Sequence, residues 1–210
     1  MRHMKKNFRN AVYLIIIILT VTSGCTPRAK YERKLKQELA TGIRYDSLFL
    51  GLYLGMPQKD FYNRCWELNR MGLVKQGIGN TTVEYIIKDE LKHPATMNFY
   101  PAFIEGKIAE MPVKFIYSGW APWNASLSSD SLQIDLLERF KNTYGEDFVR
   151  IDHRNRGTAY VLVKGNRRIT IFKENEMNVW AVFSDMTVIK EQSDTSRTVS
   201  TPFKIPEGKN

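Results

Sequence analysis

The chain predicts an α+β fold: an antiparallel sheet with two helices on one face. Two observations carry the prediction. Helical apolar stripes begin near residues 57 and 128–130, and each is followed by short strand-like runs. Gly165-Asn166 separates two such runs in the manner of a tight hairpin. The helix starts lie 71–73 positions apart, which reads as a tandem helix-plus-strands duplication.

The elements follow in order. Leu48, Leu50, Leu52 and Leu54 alternate and predict a strand with one apolar face, while Gly51 and Gly55 weigh against a helix. Pro57 suits a first helical position. Phe61, Cys65, Leu68 and Met71 form a stripe with Trp66 near it, and Gly72 supplies a left-handed stop, predicting a helix over 57–71. Strands are expected over 82–87, 96–100 and 113–117, with another short one over 103–109 near Gly106-Lys107. Ser128, Ser129 and Asp130 offer caps for a second helix, whose stripe is Leu132, Leu136, Leu137, Phe140 and Tyr144 and which Gly145 ends. Residues 159–163 and 169–172 flank the hairpin turn. Residues 179–183 are apolar on both faces, Val179/Ala181/Phe183 and Trp180/Val182, which predicts a central strand.

Leu54-Gly55-Met56-Pro57, leading into a helix that ends at Gly72, resembles two groups. One is the small outer-membrane assembly lipoproteins. The other is the secreted β-lactamase inhibitor protein, with its tandem helix-plus-sheet repeat. The likeness covers about half the chain and bears on fold rather than activity.

The N-terminus carries Arg2, Lys5, Lys6 and Arg9 with no acid, then the apolar run 11–19. That run suits a signal peptide and falls short of the roughly 18–20 residues that span a bilayer. Thr22-Ser23-Gly24-Cys25 resembles the lipobox of bacterial lipoproteins, with Thr22 where Leu is usual. The resemblance implies cleavage before Cys25 and acylation, palmitate among the chains, of its thiol and new amino group. Two or three acyl chains anchor stably where one does not. Thr26, in place of a retaining Asp, implies delivery to the outer membrane, and the following segment lacks the acidic run of surface display, which favours the periplasmic face. The alternatives are an uncleaved anchor or an ordinary secretory signal.

These readings divide the chain into a signal peptide over 1–24, a lipid anchor and polar tether over 25–45, an α+β domain over 46–189, and a disordered tail over 190–210. Within the tether, Tyr31, Leu35 and Leu39 allow a short amphipathic helix, a flexible spacer being the alternative. The whole chain has 31 Lys+Arg against 22 Asp+Glu. Loss of a leader with four bases and no acid lowers the formal charge from +9 to +5. That mild excess is only a weak argument for nucleic acid, which an exported lipoprotein is not expected to meet, and it fits acidic proteins, anionic lipid headgroups or lipopolysaccharide better.

Chemistry is sparse. With Cys25 lipidated, Cys65 has no disulfide partner, and its helical context reads as a small buried thiol. His93 and His153 lack metal-ligand spacing, and no cofactor motif is present. Asp152-His153 would point to opposite faces of a strand, and no G-x-S-x-G elbow marks a nucleophile. The segment 77–82 lacks a phosphate-loop ending and reads as a turn.

Two clusters suggest a protein partner. Trp120 and Trp123 lie in a Gly- and Pro-containing loop that either faces a partner or folds back as a lid. Arg150, Arg154, Arg156, Lys164, Arg167 and Arg168 could gather through the hairpin into an acid-seeking face, the alternative being a solvated scatter of charge. Asp46-Ser47 and Asp130-Ser131 also resemble short bacterial O-glycosylation acceptors, while a helix N-terminus accounts equally for Ser131. The expected function is a non-enzymatic envelope lipoprotein that binds another envelope protein as scaffold or assembly accessory. The alternatives are an inhibitor or ligand-binding module acting through the Trp120/Trp123 loop, and a hydrolase whose site assembles only in space.

Overall fold

The computed structural model describes residues 27–77, 79, 81–153 and 157–189. Cys25, Arg154, Arg156 and the segment from 190 onward lie outside the described residues. Among the described residues, α-helices run over α1 Pro27–Ala40, α2 Gln58–Arg70 and α3 Ser129–Tyr144, and the backbone is helical again over 186–189. The strands are β1 Val74–Gln76, β2 Val83–Ile87, β3 Ala95–Phe99, β4 Ala102–Ile104, β5 Lys107–Tyr117, β6 Val149–His153, β7 Gly157–Lys164, β8 Arg167–Lys173 and β9 Val179–Asp185. They form one open antiparallel sheet in the order β1-β2-β3-β5-β9-β8-β7-β6, with β4 beside the first part of β5. The chain is α+β, and each of α2 and α3 is followed by a run of strands.

Side-chain alternation makes β9 central. Val179, Ala181 and Phe183 are fully buried in the core, and Trp180 and Val182 take the opposite face. The eleven residues of β5 serve two neighbours on one side, β4 through residues 107–110 and β3 through residues 113–117. Pro112, which has no N–H to offer a ladder, falls at the changeover between them.

The helices are set by local chemistry. Pro57 is the residue before α2, with φ −59° and ψ 144°, rather than its first helical one. At the other end the Gly72 N–H donates to the Asn69 carbonyl at 2.8 Å and Leu73 N–H to Leu68 at 3.0 Å, with Gly72 at φ +71°. That pattern closes α2 and leaves its last carbonyls satisfied. Ser128 caps α3, its Oγ accepting from the Ser131 N–H at 3.4 Å. From α3, Leu132, Leu136 and Phe140 enter the same core as Phe61 of α2.

Residues 48–54 do not form the expected strand. The Leu48 N–H donates to the Leu52 carbonyl at 3.0 Å, and Ser47 bridges Tyr53, so the chain reverses. Leu50 at φ +53° and Gly51 at φ +77° make the tip. The two-residue period is real, since Leu48, Leu52 and Leu54 are all buried, but a reversal produces it. Of the two forms considered for the tether, the described residues adopt the helix. It packs on β6 and β7. The Tyr31 hydroxyl accepts from Arg168 at 3.4 Å on the sheet face away from the core, and Lys34 pairs with Asp147 at 3.5 Å. So α1 is docked on the domain rather than held off it.

The Gly165-Asn166 turn forms as predicted, yet it is buried. The Glu38 carboxylate accepts from the Gly165 N–H at 2.8 Å. The Asn166 side chain accepts from Tyr45 N–H at 2.7 Å and donates to Asp46 at 2.8 Å. A Cβ on Gly165 would sit 2.2 Å from the Ile43 carbonyl oxygen, so only glycine fits.

Candidate functional site

The Trp120/Trp123 loop lies at the sheet end opposite that turn. It begins where β5 ends, and Gly119 at φ +76° turns it toward α3. The loop is held by a bond to Pro94 and by hydrogen bonds of its own. Ser118 N–H donates to the Pro94 carbonyl at 2.9 Å, and Asn124 N–H to Ala121 at 2.9 Å. The Asn124 side chain accepts from Ser126 N–H at 3.2 Å and Ser126 Oγ at 2.7 Å, opening a single 3-10 turn over Ala125–Leu127. The two tryptophans part company: Trp120 is half-buried, and Trp123 is 88 % exposed. Neither a shared lid nor a paired aromatic platform describes them.

Among the described residues, the basic side chains Arg150, Lys164, Arg167 and Arg168 do not assemble into one face. Arg150 is exposed on edge strand β6 and pairs with its neighbour Asp152 at 3.0 Å. The half-buried Lys164 sets its Nζ 4.8 Å over the Tyr45 ring. Arg167 is buried: its guanidinium donates to the Ser47 carbonyl at 2.7 Å and lies 4.7 Å over Tyr144. Arg168, next along the strand, points to the opposite face, toward Tyr31 and Ser184 Oγ. Adjacent strand residues cannot share a face, which divides Arg167 from Arg168.

Two buried carboxylates, Asp135 and Asp185, form structural pins. Asp135 of α3 accepts from the Tyr117 hydroxyl in a short contact, from Lys92 Nζ at 2.8 Å and from Lys92 N–H at 3.2 Å. Burial alone would raise its pKa, but Lys92 and Tyr117 outweigh that and hold the carboxyl below its usual range. Burial, then the Asp135 acceptor, pushes the Tyr117 hydroxyl well above its ordinary value. Asp185 is treated likewise: burial opposes its charge, and Thr187 and Arg44, the latter at 2.7 Å, keep it depressed. Burial raises the Cys65 thiol to about 11, leaving it protonated at neutral pH. Ser131 is half-buried in the first turn of α3 and donates to the Ala125 carbonyl at 3.1 Å.

Among the described residues, no three His, Cys, Asp or Glu side chains are grouped to hold a metal ion. Among them also, no helix is long and apolar enough to cross a membrane.

Sequence reasoning missed a second aromatic surface. Tyr62 and Trp66 of α2 are 44 % and 70 % exposed, one turn apart, and the Tyr62 hydroxyl is 2.8 Å from that of Tyr100. The signal was present: both stand about 100° or more around the helix from Phe61 and Leu68. No family model, curated protein or solved structure matches the chain.

Proposed function

We propose that this is a non-enzymatic lipoprotein of the cell envelope, anchored by acylated Cys25 at the periplasmic face of the outer membrane. In this reading it binds a protein partner as a scaffold or assembly accessory. The observation that carries the binding role is Trp123, a large side chain left 88 % exposed on a loop fixed by its own hydrogen bonds. A rigid exposed aromatic loses little entropy on docking and contributes a large contact area. The placement of the loop supports the same reading. The described side-chain contacts of α1, the helix that follows Cys25, gather near the Gly165-Asn166 end, leaving Trp123 at the other.

Crosslinking the native lipidated protein in its own cells, followed by affinity capture and mass spectrometry, tests the proposal. The expected result is one dominant envelope protein, retained by Trp66→Ala and lost from Trp123→Ala. A partner held equally by both variants would move the site away from the loop. Absence of any reproducible partner would overturn the scaffold role. Labelling with a palmitate analogue, abolished by Cys25→Ser, checks the anchor.

A further inference from the structure

Beneath α3 the core is incompletely filled. A cleft of about 320 Å³ opens between α3, the sheet and the 48–50 reversal. Its walls are apolar, chiefly Leu48, Ile87, Met97, Phe115 and Phe140, all buried. Ligand sites in proteins begin near this size and combine such walls with a few placed polar groups. Here those groups stand together at the rim. Arg139 forms a close ion pair with the Glu90 carboxylate and donates through Nη1 to the Glu90 carbonyl at 3.2 Å. The Tyr85 hydroxyl donates to the same carboxylate at 3.2 Å.

The wall carries a second sign of a built site. Leu50 lines the cleft at φ +53°, a conformation that costs a non-glycine residue energy. It is held there by Arg64 of α2, whose Nε donates to the Leu50 carbonyl at 2.9 Å. Backbone strain kept in place beside a cavity points toward function.

We propose that this cleft binds a medium-chain fatty acid, with its carboxylate replacing that of Glu90 on Arg139 and Tyr85. The volume lies at the small end of the range for ligand sites, which suits a short chain such as octanoate. A carboxylate is the head group the rim selects, since Glu90 already presents one to the same two donors. Arg139 stands on a regular helix, whereas Glu90 stands on the irregular stretch between β2 and β3. Rotation of the Glu90 side chain alone frees both donors. The Nη1 bond to the Glu90 carbonyl survives that rotation and keeps the guanidinium in place. Glu90 is therefore an internal competitor for the ligand.

The test uses the full chain in phosphatidylcholine nanodiscs with methyl-labelled methionine, following the Met97 methyl signal during titration with octanoate. The expected result is a saturable shift, weaker for 1-octanol than for octanoate. Binding falls at least about tenfold in Arg139→Gln, through loss of a charge-assisted bond, and tightens in Glu90→Gln. A merely structural ion pair would not give tighter binding when Glu90 is neutralised. Absence of a saturable shift in both the unaltered chain and Glu90→Gln would overturn the proposal. So would equal binding by a folded Arg139→Gln. If Arg139→Gln does not fold, Glu90→Gln decides alone: tightening supports the site, and unchanged or weaker binding removes it.

Discussion

The two ends of the sheet solve the problem of a chain reversal in opposite ways. At one end, the Gly165-Asn166 turn is buried beneath α1 and residues 43–46, and its polar atoms are bonded to Glu38, Tyr45 and Asp46. At the other, the loop after β5 is held by bonds among Ala121, Asn124 and Ser126 and by one to the Pro94 carbonyl, and it leaves Trp123 in solvent. The first end spends its polar groups on stability. The second is stable without burying its largest side chain, which leaves that side chain free for contact with another molecule.

The sharpest test of this contrast is a pair of glycine substitutions. Gly165→Ala combines a left-handed φ with a backbone clash and is expected to cost about 3 kcal/mol or more. Gly119→Ala meets only a Leu127 carbon at 4.0 Å and is expected to cost about 1 kcal/mol. Urea unfolding midpoints at unchanged slope measure both. Equal losses would erase the distinction between the ends.

Next in size is acid sensitivity. Asp185 lies beside the buried turn, where the Asn166 carbonyl accepts from Met186 N–H at 2.7 Å, and its pKa is lowered in the folded chain. A carboxyl depressed on folding contributes stability that is complete above its unfolded value, about 4. That contribution is lost as pH falls toward the folded value. Melting temperature should therefore hold from pH 7 to about 5 and drop below about 4. Asp185→Asn should cost about 1–3 kcal/mol at pH 7, with a smaller difference from the unaltered chain at pH 3. A constant difference across that range would remove Asp185 from the account.

The smallest effect sharpens the contrast from the other side. Trp123→Ala should change stability by less than about 0.5 kcal/mol, because the side chain has little contact to lose. A larger loss in thermal melting would make Trp123 a structural residue.

Much of the fold was legible because its signals are local. Caps and stops marked α2 and α3, Gly165-Asn166 marked a hairpin, and two-sided apolarity placed β9 centrally. Signals that depend on distant partners were not legible. Asp135 sits between Leu132 and Leu136 with nothing nearby in sequence to show that Tyr117 and Lys92 enclose it. The 48–54 alternation could not reveal that Leu50 reverses the chain, although Gly51 and Gly55 hinted at breaks. Arg167 and Arg168 read as neighbours in a basic run, while strand geometry separates them. Trp123 was legible as a candidate, but its exposure and the half-burial of its companion depend on how the loop closes. The cleft left no mark in sequence, because its walls are ordinary core residues and its rim joins Glu90 to Arg139 across 49 positions.

The strand order also sets a timetable. Among the described residues β9 is the last strand in sequence, yet it lies between β5 and β8 and is the only seam between the two halves of the sheet. A chain emerging from its amino end can assemble β1 to β5 early, but until residue 179 arrives β5 keeps a raw edge carrying Met111, Val113 and Phe115. Open edges of this kind recruit other chains. Between the completion of β5 at residue 117 and the arrival of residue 179, then, the nascent protein is a sheet with one side unfinished. Its final strand completes the domain and withdraws that adhesive edge in the same act.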